Sequence, residues 1–251
     1  MSPSADQREN RAFAKEVKFL LDRSIGEKIR AWARARLVAD PNASNESDGY
    51  QTTSLYLDTE EFDVFHRNGS FGRSKYRIRR YGLSDLVFLE RKLKTRGSVT
   101  KRRSTISVTD LSRLTSTQPN PLWNGYWYER RLLARKLQPV CQIAYMRTAR
   151  VSMTENGPIR LTLDDDLRAL RANGYLFNHS EPGTRLLEDH IILELKYRFE
   201  TPTLFKELAE EFGLNPQPVS KYRIAAIAMG LAPAQVSDES DDGEIGEAAC
   251  A

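Results

Sequence analysis

Cysteine is nearly absent: two occur in 251 residues, Cys141 and Cys250. That excludes a disulfide framework and a cysteine-built zinc site. Histidine is as scarce. His66, His179 and His190 have no second histidine or cysteine at ligand spacing and read as surface or packing residues. No run of about 18 apolar residues exists, so no transmembrane helix is expected. The opening MSPSADQRENRAFAKE is polar, without the apolar centre of a secretory signal, and the cytoplasm is the expected compartment. No P-loop or G-x-G-x-x-G is present, so a glycine cradle at a helix end is not how this chain would hold phosphate. Ser54 and Ser220 lack His and Asp partners, which removes serine nucleophilic catalysis.

What is abundant is charge, unevenly placed. Residues 233–251 hold six acids and no base; the rest of the chain has 38 bases against 28 acids, a net +10. A basic body with an acidic tail calls for an anionic partner for the body. Hydrophobic content of 40% suits a soluble globular protein, and the length is enough for a real core. The expected organisation is a disordered leader over residues 1–12, one domain over 13–232 and a disordered acidic tail over 233–251.

The informative stretch runs from Arg73 to Thr105. Its period of two predicts three strands, with turns at Gly82–Asp85 and Arg96-Gly97-Ser98. Lys75, Arg77, Arg79 and Tyr81 share one face of the first strand. Phe88, Glu90, Lys92 and Lys94 share one on the second, and Lys101, Arg103 and Thr105 on the third. Seven cations and one carboxylate would then meet on one sheet surface, while Tyr76, Ile78, Val87, Leu89, Leu93 and Ile106 face the other way. A basic face turned to solvent is the ordinary reading. The sharper one is a wet tunnel with its apolar side outward beneath helices, its self-repelling array needing a polyanion. Phosphate chains match arginine forks and lysine ammonium groups.

Elsewhere a strand is expected from Phe13 to Leu21, with Glu16 and Lys18 on one face. Helix 25–38 would follow, capped by Ser24 and Glu27, then a loop over Asp40–Asp48. Further strands are expected at Tyr50–Asp58, Pro139–Ser152, Ile159–Leu163 and His190–Phe199. Helices are expected at 122–137, from Thr201-Pro202, and over about 220–230. Hairpin-linked strands without exposed edges favour closure. The expected fold is α+β: a closed antiparallel barrel of about eight strands flanked by helices.

One oddity recurs, a charged pair on an otherwise apolar strand: Glu16/Lys18, Arg77/Arg79, Glu90/Lys92, Lys101/Arg103, Arg160/Asp164 and Glu194/Lys196, with Arg147 alone. With SLYLD at 54–58, K-x-R-x-R-x-Y-G at 75–82, F-L-E-R-K at 88–92, Y-x-R at 145–147, R-L-T-L-D at 160–164, I-L-E-L-K at 192–196 and SKY at 220–222, the chain resembles the VTC domain. That domain is the catalytic module of vacuolar transporter chaperone complexes and their stand-alone bacterial relatives, within the triphosphate tunnel metalloenzyme (CYTH-like) superfamily. The resemblance spans roughly residues 13–231.

It implies a tunnel holding triphosphate or polyphosphate. Phosphate would be contacted by Lys18, Arg77, Arg79, Lys92, Lys101, Arg147, Arg160 and Lys221. Glu194 would hold Mn²⁺ or Mg²⁺, with Glu16 and Glu90 as helpers. ATP and inorganic polyphosphate would be the partners, with no nucleic acid and no membrane span. Two positions depart from the pattern. Ala14 stands where the superfamily's E-x-E-x-K has its first acid, and Pro218 precedes SKY where eukaryotic relatives carry a base. The membrane segments and inositol-phosphate-sensing domain of the eukaryotic complexes have no counterpart in this sequence. Three functions stay open: a polyphosphate polymerase using ATP, a triphosphatase on the same fold, and a non-catalytic polyanion binder. Nucleic acid is disfavoured because Tyr81 is the lone aromatic on the basic face of its strand.

Overall fold

The structure is a computed structural model that describes residues 15–41, 48–95, 98–116 and 118–232. The expected leader, Phe13, Ala14, the Arg96-Gly97 turn and the acidic tail lie outside the described residues.

The chain alternates short helices with long strands. β1 (Lys15–Asp22) leads straight into α1 (Arg23–Arg36), then come β2 (Val38–Ala39), β3 (Gly49–Asp58) and α2 (Asp63–His66). β4 (Arg73–Tyr81), β5 (Leu86–Thr95) and β6 (Ser98–Ser107) follow as two successive hairpins. After a 3-10 turn over Val108–Thr115 come α3 (Tyr126–Arg135), β7 (Gln138–Thr154), β8 (Gly157–Arg171), β9 (Thr184–Leu186) and β10 (His190–Tyr197). α4 (Thr203–Glu211) and α5 (Lys221–Ala228) end the described fold. Ten strands form one antiparallel sheet in the order β1-β10-β8-β7-β3-β4-β5-β6, with β2 added to β7 and β9 to β8.

The sheet is inside-out relative to an ordinary half-buried one, as the tunnel reading expects. Ile78, Val87, Leu89 and Ile106 point outward and are buried with Phe65, Tyr128 and Leu132 of α2 and α3. Ile191, Leu193, Leu195 and Leu161 are buried with Ile29, Trp32 and Ala33 of α1 and Phe205 and Leu208 of α4. Contact there is close: a Cβ on Gly26 of α1 would lie 2.6 Å from the Ile191 side chain. Alternation then forces the charged residues of the same strands to the opposite, concave face.

Closure is where the expectation needs correcting. The path of paired strands begins at β1 and ends at β6, and these two edges share no backbone ladder among the described residues. The sheet is curled but open, and a charge pair spans its concave side beside the seam: Lys92 Nζ on β5, the neighbour of the β6 edge, lies 2.9 Å from Glu16 Oε2 on β1. A charge pair satisfies the curl without the register match that a backbone ladder demands.

Smaller differences have local causes. α1 starts at Arg23, whose N–H donates to Asp189 O (2.9 Å), so Ser24 lies inside the helix and Glu27 pairs with Arg30 (3.1 Å) rather than capping. α3 spans Tyr126–Arg135 rather than 122–137, ended by Lys136 in a left-handed conformation (φ 50°). Pro202 precedes α4 as its N-cap instead of occupying its first turn. No helix among the described residues is long and apolar enough to cross a membrane.

Candidate functional site

Register assembles the first half of the concave face. Arg77 stands opposite Glu90, which stands opposite Arg103; Lys75, Lys92 and Lys101 line up in the same way one step along. Glu90 is 1% exposed and is surrounded: Arg77 Nε at 2.6 Å, Arg103 Nε at 3.0 Å and Lys101 Nζ at 3.3 Å. Burial alone would raise its pKa, but the guanidinium groups of Arg77 and Arg79, with Lys101 and Arg103, hold it well below the usual carboxylate range. Arg79, also buried, donates to Ser54 Oγ (3.2 Å) and Tyr145 Oη (3.1 Å).

The second half is a chain of alternating charges. Lys18 Nζ bridges Glu16 (3.2 Å) and Glu194 (3.4 Å), and Lys196 Nζ does the same at 3.8 and 3.2 Å. Lys221 Nζ bridges Asp164 (2.6 Å) and Glu194 (3.5 Å). Arg147 grips Asp164 with two bonds of 2.6 Å, and Arg160 reaches Asp40 (2.8 Å) and Tyr50 Oη (3.1 Å). Burial works against the charge on Glu194, yet Lys196, Lys18, Lys221 and Arg147 together keep its carboxyl far below the usual range. Burial likewise opposes the Lys221 ammonium, and Asp164 and Glu194 raise its pKa in spite of that.

The loop before α5 ties the two halves together. Lys18 Nζ donates to Val219 O (3.2 Å) and Lys75 Nζ to Ser220 Oγ (3.2 Å), so this strap spans from β1 to β4. α5 is anchored by its second residue. Tyr222 stacks on Tyr56 (5.4 Å between ring centroids, 10° between planes) and donates to Asp58 Oδ2 at 2.5 Å. Asp58, fully buried, also accepts from the N–H groups of Thr59, Val64 and Phe65. The D of SLYLD and the Y of SKY are thus partners across 164 residues, and the lysine between Ser220 and Tyr222 is delivered to the concave face.

All eight bases expected to contact phosphate therefore line or edge one charged surface. Lys75, Arg103 and Lys196 join them, left out of the expected set although their strand alternation marked them. Asp164 and Asp40 were missed as counter-charges: Asp164 showed only as one end of an R-x-T-x-D pattern, and Asp40 lay in an expected loop. Among the described side chains, eleven bases (Lys18, Lys75, Arg77, Arg79, Lys92, Lys101, Arg103, Arg147, Arg160, Lys196, Lys221) meet five acids (Glu16, Asp40, Glu90, Asp164, Glu194), an excess of six positive charges. The three acids expected at a metal are not gathered. Glu16 and Glu194 share Lys18 and Lys196, whereas Glu90 sits in its own ring of bases. Among the described residues no three acidic, histidine or cysteine side chains are grouped to hold a metal.

Tyr81 marks the arginine-rich end. Its ring meets Tyr50 edge-on (5.6 Å) and Phe88 (5.4 Å), and its hydroxyl accepts from Arg103 (3.1 Å). Burial would raise its pKa, but Arg79 and Arg103 bring it down to about 8. An acid whose pKa falls on folding loses its proton earlier in the folded protein, so stability should rise with pH between about 8 and the ordinary 10.0. Ultraviolet titration should show one tyrosinate step near pH 8, absent in Tyr81→Phe. Affinity for phosphate anions should fall across the same step, because the phenolate neutralises charge the anion would use.

The VTC domain model matches residues 13–229. No curated protein matches the chain. Among solved structures, a Bacillus halodurans protein described as a candidate adenylate cyclase aligns with a TM-score of 0.52 and 15% identity, over 83% of this chain and 94% of its own. A Hippeastrum protein described as a candidate adenylyl cyclase with dominant triphosphatase activity gives 0.49 and 14%, over 86% and 96%. The PH1819 protein of Pyrococcus horikoshii gives 0.46 and 12%, over 86% and 99%. At such identity the Bacillus likeness is one of fold. The family match runs through every element that builds the charged face, from β1 to α5, and this chain belongs to the VTC domain family.

Proposed function

We propose that the chain is a metal-dependent phosphotransferase of the polyphosphate polymerase kind, moving the γ-phosphoryl group of ATP onto a polyphosphate chain held along the concave face. The observation that carries this reading is the excess of bases and its extent. A triphosphate with one metal is neutralised by about four or five bases, whereas the described face keeps six positive charges in excess of its own acids, spread from Arg160 and Tyr50 at one end to Lys75 and the Ser220 strap at the other. A longer anion accounts for the surplus. Family membership supports the substrate class.

The chain's own residues would position and neutralise. Arg77, Arg79, Arg103 and Arg147 are fixed in direction by Glu90, Ser54, Tyr145 and Asp164, so their charge is pre-oriented toward phosphate oxygens. Lys18, Lys92 and Lys196, on longer and more pliant stems, would follow a chain as it advances. An anion bridging Lys92 on β5 and Lys18 on β1 would tie the β1 edge to the strand beside the β6 edge and hold the chain within the curl. Glu194, with Glu16 or Asp164, would supply hard oxygen donors of the kind Mg²⁺ or Mn²⁺ takes, if phosphate oxygens completed the shell and replaced the ammonium contacts. Such an ion, when bound, adds charge neutralisation at the transferring phosphoryl group.

Incubation with γ-labelled ATP and Mn²⁺ or Mg²⁺, with products resolved by size, tests the reading. A polymerase places label in chains of increasing length and releases ADP. Arg77→Ala and Lys221→Ala should each abolish elongation. Label found only as free phosphate or pyrophosphate would replace the polymerase by a triphosphatase, and no turnover with tight polyphosphate binding would leave a binding module.

A further inference from the structure

Thr162 lies on β8 midway between Arg160 and Asp164, on the same concave face, and opposite Glu194 of β10. It is 0% exposed, and its Oγ1 has no hydrogen-bond partner among the described residues. A buried hydroxyl without a partner is destabilising, and native proteins seldom leave one so. The acceptors around it are committed elsewhere: Asp164 to Arg147 and Lys221, Glu194 to Lys18, Lys196 and Lys221. What this part of the concave face lacks is an acceptor brought from outside, and the bases beside Thr162 select an oxyanion.

We propose that Thr162 Oγ1 donates to a non-bridging phosphoryl oxygen of the bound chain, a neutral contact set among the charged ones. The inference rests on the functional reading above and assigns this hydroxyl within it. A hydroxyl adds direction without adding to the repulsion among the bases, and it fixes one oxygen where flexible lysines fix none.

Thr53 provides a matched control. Its Oγ1 is also buried and unpartnered, but it shares a face with Leu55 and Leu57 in the outer core. Calorimetric titration with sodium tripolyphosphate, without metal and at fixed ionic strength, would be paired with thermal melts of the anion-free proteins. Thr162→Val should melt at or above wild type, because an unpaired hydroxyl is removed, while its Kd rises about 10-fold. Thr162→Ser should bind like wild type, and Thr53→Val should bind like wild type as well. Unchanged affinity in Thr162→Val, or a loss that Thr53→Val or Thr162→Ser shares, overturns the hydroxyl's role while the functional reading stands. A wild-type protein that binds no tripolyphosphate overturns both.

Discussion

Glu194→Gln is expected to leave a folded protein whose ATP turnover falls about 100- to 1,000-fold. The shape of the side chain is kept and only its charge is lost. Structurally the loss is tolerable, because Lys18 and Lys196 still have Glu16, and Lys221 still has Asp164. Functionally it is not, because Glu194 is the carboxylate that links the two groups and the one proposed to carry the metal. The check is steady-state turnover across a Mn²⁺ and Mg²⁺ series beside a thermal melt. Unchanged turnover with unchanged metal dependence would remove Glu194 as a ligand. A collapse of the melt would show that its work is structural.

The mirror case is Glu90→Gln. Here the stability loss should be large, about 3 kcal/mol, equivalent to roughly 6–12 °C in Tm for a domain of this size. Glu90 is buried while Arg77 and Arg103 stand within 3.0 Å of it, so neutralising it leaves guanidinium groups crowded without their central anion. The same logic predicts rescue. Tripolyphosphate should raise the melting temperature of Glu90→Gln by more than it raises that of wild type, since the anion replaces the missing negative charge. A melt like wild type's, coupled to altered metal dependence, would return Glu90 to the role of metal helper that the family resemblance implies.

These two predictions separate residues that look alike in the sequence. Glu90 and Glu194 each follow a leucine and precede a lysine by two positions, and the Arg91 that follows Glu90 lies on the other strand face. Their difference comes from register. Glu90 is flanked by bases on both neighbouring strands, Arg77 and Arg103, whereas Glu194 faces Lys18 on one side and the neutral Thr162 on the other. The same applies to Asp58 and Tyr222. Each closes a short motif, and their bond depends on how the fold brings the start of α5 to the end of β3, which no local pattern encodes.

The period-two alternation of Arg77/Arg79, Glu90/Lys92, Lys101/Arg103 and Glu194/Lys196 was enough, by itself, to determine that one sheet face would be charged and the other apolar. A strand's side chains point alternately by covalent geometry, and only helices packed on the apolar side make such a strand stable in water. The antiparallel hairpins and the main strands followed from it, and it marked the strand-borne bases; Lys221, on α5, entered the expected set through the SKY motif of the family resemblance. Only the tertiary structure decided which acid neutralises which base, that Asp164 and Asp40 belong to the site, and that the sheet stays open between β1 and β6 while Lys92 of β5 reaches Glu16 of β1. Those outcomes depend on curl and stagger summed over eight strands, a long-range quantity to which each residue's local preference contributes too little to be read.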